Sequence, residues 1–185
     1  MTWRSVVVYW VLALAAGFHV YGVWRERGPV AAVEERPVAP IINATASSID
    51  AMTVVRGDLS VEIERDGERW VVVRPAGLEV SNDLLDALLD TLTTIPPVEI
   101  LSDDEDGGTS IAQFGLDPPL AVLALRSSGA SVATVELGKR NPTRTAVYAR
   151  LVEEDRLYLL GLNAQYYVEL AYEQFEKQSR GMPRR

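Results

Sequence analysis

The sequence contains no cysteine. That alone excludes disulfides, thiolate nucleophiles and Cys-based zinc or iron–sulfur sites. The single histidine, His19, sits inside a hydrophobic run, so the rest of the chain has no imidazole for acid–base work, for a Ser–His–Asp arrangement or for metal binding. Lysine is scarce: only Lys139 and Lys177 are present, and neither lies in a serine motif that could support Ser–Lys chemistry. Gly138-Lys139 lacks the preceding Gly-x4 of a phosphate loop, and there is no Gly-x-Gly-x-x-Gly. No stretch clusters Lys and Arg, and the net charge is −8 with a pI near 4.7. Phosphate backbones need the opposite balance. Carboxylates are plentiful, but none forms the distinctive pair that glycoside hydrolysis uses. The acidic run from Asp103 to Asp106 lacks the D-x-D-x-D-G spacing of a calcium loop and reads as a solvated loop. No catalytic, cofactor-binding or metal-binding residue is assigned, and the chain reads as a non-enzyme without a cofactor.

What is present begins with residues 5–24, which contain no Asp, Glu, Lys or Arg. About 20 residues at ~1.5 Å each span the roughly 30 Å hydrocarbon core of a bilayer. Trp3, Tyr9 and Trp10 lie toward one end and Tyr21 and Trp24 toward the other, the placement of interfacial anchors. A cleaved signal peptide is the rival reading, through Ala13-Leu14-Ala15, but the apolar run continues past that site. The expectation is one N-terminal transmembrane helix over 1–25 and a Pro-containing tether over 26–47. Arg4 before the span and Arg25, Arg27 and Arg36 after it lean toward a cytoplasmic C-terminal domain.

Residues 48–176 read as one α+β domain, with a flexible tail over 177–185. Period-two alternation over 59–65 and the Asp66-Gly67 turn predict a hairpin with 68–74, preceded by a strand at 49–56. Ser81 or Asn82 can cap a helix through Ile95, with Leu84, Leu85, Leu88, Leu89, Leu92 and Ile95 on one stripe. Pro96-Pro97 stops it. Further strands are expected at 98–101, 120–126, 131–137, 147–152 and 156–161, then a helix from Asn163 to about Lys177. The fold class is therefore α+β, with a mainly antiparallel sheet and two helices behind the N-terminal span.

Several short motifs occur in a fixed succession. Trp70 is followed by Pro75, then by the Asn82-Asp83 helix start. Phe114-Gly115-Leu116-Asp117-Pro118-Pro119 comes next, then Leu137-Gly138 and Tyr148-Ala149-Arg150. Over roughly 49–172 this order resembles a bacterial family of membrane-anchored proteins built on the domain of unknown function numbered 4340, associated with gliding-motility-type ABC transporter auxiliary proteins. The resemblance implies an inner-membrane, single-pass protein with a periplasmic domain, against the charge count. It marks Trp70, Pro75, Asp83, Phe114, Gly115, Leu116, Asp117, Pro119, Gly138 and Tyr148 as family positions, whose residue types suit structural roles.

Anchor, tether and resemblance together lead to the expectation of a non-enzymatic envelope accessory protein. Its partners would be the membrane and a protein such as an ABC-type transporter subunit. A sheet edge or the Tyr-rich last helix would make the contact. The alternatives are a glycan- or peptide-binding module using Trp70, Tyr148, Tyr158, Tyr166, Tyr167 or Tyr172, and a carboxylate-dependent envelope hydrolase.

Overall fold

The computed structural model describes residues 38–101 and 110–181, together with Trp3. The chain divides into two units, Met1–Pro37 and Val38–Arg185. The second holds β1 (Ala51–Arg56), β2 (Leu59–Asp66), β3 (Arg69–Arg74), α1 (Asn82–Thr93), β4 (Glu99–Leu101), β5 (Ala121–Ser127), β6 (Ala130–Arg140), β7 (Ala146–Leu151), β8 (Arg156–Gly161) and α2 (Leu162–Gly181). The last helix runs about one turn beyond the expected Lys177, to Gly181.

The strands form one eight-stranded sheet in the order β3-β2-β1-β5-β6-β7-β8-β4, every pair antiparallel. Consecutive strands join as tight hairpins except where the chain changes place. β3 and β4 are neighbours in sequence but lie at opposite edges of the sheet, with α1 as the connection. The segment leading from β4 back to the sheet centre includes 110–119, and α2 follows β8.

Alternation assigns the two faces. Met52, Val54, Val61, Ile63, Leu123, Leu125, Val135 and Leu137 point to one face and are buried. The α1 stripe of Leu84, Leu85, Leu88, Leu89 and Leu92 and the α2 stripe of Ala164, Val168, Ala171 and Phe175 join the same core. Each fully buried Leu or Phe there contributes about 1.5–3 kcal/mol relative to exposure. Ile41 and Ile42, in the stretch read as tether, also enter this core, and the Ile42 N–H donates to the Leu92 carbonyl at 3.2 Å.

The membrane-anchored arrangement is corrected here. Among the described residues no helix is long and apolar enough to cross a membrane. The expected span 5–24, His19 within it and the acidic loop at Asp103–Asp106 lie outside the described residues. Among the described residues the domain is α+β with eight strands and two α-helices, and α1 ends at Thr93, which leaves Ile95 outside the helix and exposed. The single-pass transmembrane helix, the membrane as a partner, the inner-membrane and periplasmic location and the envelope-accessory role that depended on the anchor are set aside with it.

Candidate functional site

Two of the motif groups are fasteners of the fold. Trp70 leaves β3 with its ring under the Arg65 guanidinium, 4.4 Å from the ring centre. Its backbone N–H donates to Asn82 Oδ1 at 2.8 Å, and its indole Nε1–H donates to Asp86 Oδ1 at 3.0 Å. Arg65 Nη2 donates to the same carboxylate oxygen at 3.0 Å. The β2–β3 hairpin is thereby tied to the first turns of α1. Asp83 is exposed in the first turn, where a negative charge suits the helix dipole, and Pro75 follows β3 through a cis bond. Asp86, rather than Asp83, touches Trp70. Its place one turn after Asn82 on the polar side of α1 is the signal that could have found it.

The second group gathers on the sheet face away from the helices. Residues Ile111–Phe114 form a short turn that ends at Gly115, whose φ of 70° is left-handed. A Cβ at Gly115 would stand 3.0 Å from the Lys139 nitrogen, and one at Gly138 would overlap the Phe114 carbonyl oxygen. Glycine at both positions lets the 111–116 backbone lie directly on β6. The Phe114 ring then packs on Tyr148 of β7, 4.6 Å between centres. Leu116 is buried and bridges to Pro119, while Asp117 and the cis Asp117–Pro118 bond are exposed. Phe114, Gly115, Leu116, Gly138 and Tyr148 are thus brought together, and Trp70, Pro75 and Asp83 stand apart from them.

The aromatics do not assemble into a binding platform among the described residues. Trp70 and Tyr158 are buried, Tyr148 is taken by Phe114, and Tyr172 lies under Arg56 at 4.8 Å. Tyr166, 57% exposed, is the freest of them. Arg150 pairs with Glu136 at 2.8 Å on the sheet face opposite the helices, where both are largely shielded. Among the described residues no group of three or more His, Cys, Asp or Glu is gathered as a metal site needs.

The two sheet edges are treated differently. β3 exposes Val71 and Val73, but Arg69 and Arg74 end it, and Asn82 takes the N–H of Trp70. At the other edge, among the described residues, β4 pairs with β8 alone. Around it Ile95, Val98 and Ile100 are 42%, 67% and 45% exposed. Register places Ile100 at the end of a lateral row that crosses five strands, Ala121–Leu137–Ala149–Tyr158–Ile100. The row is buried up to Tyr158 and then emerges at the free edge.

Beside Ile100 lies a cleft of about 410 Å³, walled by Ile41, Ile42, Leu151 and Tyr158 with Glu153 and Glu154 on its rim. Burial pushes the Glu153 carboxyl up, but hydrogen bonds from Thr134, whose backbone N–H donates at 2.8 Å, outweigh it and hold the group below the ordinary carboxylate range. Burial raises the Tyr158 hydroxyl, with Arg156 opposing. That hydroxyl is 3.4 Å from Glu154, which pairs with Arg156 at 3.3 Å. No motif signalled this site in the sequence. Its residues come from four separated stretches, and the apolar ones read there as ordinary strand positions.

No curated protein and no solved structure matches the chain. Residues 70–178 match the family model described as Domain of unknown function (DUF4340). The match begins at Trp70 and takes in every family position named above. It supports the family alone and corrects the membrane-anchored, transporter-associated description that the resemblance had implied. Because the matched stretch is more than half of the 185 residues, the chain belongs to the DUF4340 family.

Proposed function

We propose that this domain is a non-enzymatic protein-binding module that receives an extended segment of a partner along the free edge of β4. The observation that carries the reading is the emergence of a core row at Ile100, beside exposed Ile95 and Val98. An edge strand offers main-chain hydrogen-bonding groups, and flanking apolar side chains add the burial that so short a strand needs. The contrast with β3 supports the choice of edge, since there Asn82 already occupies the Trp70 N–H. The cleft carboxylates Glu153 and Glu154 are engaged with Thr134 and Arg156 rather than facing one another as a catalytic pair.

The test is a photo-crosslinking amino acid placed at Val98 and, separately, at Val71 on the opposite edge, in cells that produce the full chain. The expected result is one discrete protein adduct from position 98, absent from position 71 and lost with Ile100→Lys. Identical adducts from both edges, or none from position 98, would overturn the reading.

A further inference from the structure

The β4 edge also carries information about what fits it. A strand added beside β4 would lie about 4.8 Å away, with its residue opposite Ile100 on the same face as Ile100 and Tyr158. That residue becomes the sixth member of the lateral row and sits at the mouth of the cleft walled by Ile42, Leu151 and Tyr158. An aliphatic side chain continues the row. A polar one would leave Ile100 half-covered and its own polar atoms unpaired. The cleft volume is within the range of about 300–1,000 Å³ in which pockets enclose a side chain or small ligand.

The surrounding charge is mainly negative. Glu99 on β4, Glu153 and Glu154 on the cleft rim and Asp155 in the next turn are all exposed. Arg156 offsets Glu154, and Arg150, already held by Glu136, reaches Asp155 at 3.6 Å. Glu99 has no cation among these pairs, while Glu153 is held by the Thr134 N–H. A second copy of the chain carries the same net charge of −8, which opposes self-pairing at this edge.

We infer that the β4 edge takes a basic, aliphatic extended segment of another protein. One of its aliphatic side chains would cap the Ile100 row over the cleft, and the Lys or Arg residues flanking it would fall on the opposite face of the strand, against Glu99. This rests on the reading of β4 as a partner-binding edge and adds the chemistry of the partner.

The experiment uses the full chain and three capped synthetic heptapeptides. The first alternates Lys with Val and has Leu at the centre. The second replaces Lys with Glu, and the third replaces the central Leu with Ser. Binding is followed by backbone amide shifts of Glu99–Leu101 and of 153–158. The Lys/Leu peptide is expected to shift both groups and to bind at least about tenfold more tightly than either control. Glu99→Gln is expected to reduce the preference for Lys over Glu while leaving the Leu-over-Ser preference. Equal binding of all three peptides at β4 would overturn the inference and leave the edge reading standing. No shift at β4 with any peptide would also overturn it, and the edge reading is then judged by the Val98 crosslink alone. A concentration-dependent dimer seen by light scattering and abolished by Ile100→Lys would replace the foreign segment with a second copy.

Discussion

Gly138 shows how much of this fold depends on single atoms. Its missing side chain is the space through which the Phe114 carbonyl passes, and through Phe114 it also sets the contact with Tyr148. Gly138→Ala is expected to cost about 1–3 kcal/mol, the range for forcing extra volume into a packed position. Urea unfolding followed by circular dichroism measures it, and a midpoint equal to the parent's would show that 111–116 is not held against β6. Glu153 makes a second residue-scale case through its lowered pKa. A carboxyl depressed in the folded state stabilises above its unfolded pKa of about 4.3, and the contribution is lost as pH falls through the lower folded value. Glu153→Gln is therefore expected to reduce stability at neutral pH and to flatten the loss on acidification. Melting temperatures across that acid range decide it, and parallel curves for parent and variant would contradict the assignment. The Trp70 contact was only half legible: the tryptophan stands out in the sequence, but its partners Asn82, Asp86 and Arg65 lie 12, 16 and 5 positions away.

Among the elements, the local ones were readable and the distant ones were not. Alternation over 59–65 and the Asp66-Gly67 turn specify the β2–β3 hairpin because side-chain period and turn chemistry act within a few residues. The α1 stripe is likewise a property of one continuous stretch. Nothing local indicates that β1 pairs with β5 or that β4 crosses the whole sheet to β8, since those pairings are decided by which apolar faces are jointly buried. For the same reason Ile41 and Ile42 went unrecognised as core: two apolar residues after a proline have no period. The β4 edge proposed for docking was illegible on the same grounds, because a strand becomes an edge only when the sheet is assembled. This separation of core and edge is testable at the element scale. Leu88→Ala removes a fully buried member of the α1 stripe and is expected to cost about 2–5 kcal/mol. Val98→Ser, at 67% exposure, is expected to stay within about 0.5 kcal/mol while weakening partner capture. If Val98→Ser proved as destabilising as Leu88→Ala, β4 would belong to the core and not to a docking edge.

For the whole molecule the governing quantity is charge. A net charge of −8 repels other acidic surfaces and draws a cationic segment from a distance, whereas the Ile100 row acts only in contact. The two effects separate by ionic strength. Raising salt from about 10 mM to 150 mM shortens the screening length from about 30 Å to 8 Å, which removes the long-range attraction and leaves the apolar contact intact. Association of the Lys/Leu peptide with the full chain is therefore expected to slow by about tenfold or more over that range, with dissociation nearly constant. Stopped-flow mixing with a fluorescent peptide separates the two rates. If dissociation also sped up with salt, the contact of the Lys residues with Glu99 would hold the bound peptide as well as steer its approach. If neither rate moved, the acidic surface would have no part in recognition, and the aliphatic row alone would define what the edge accepts.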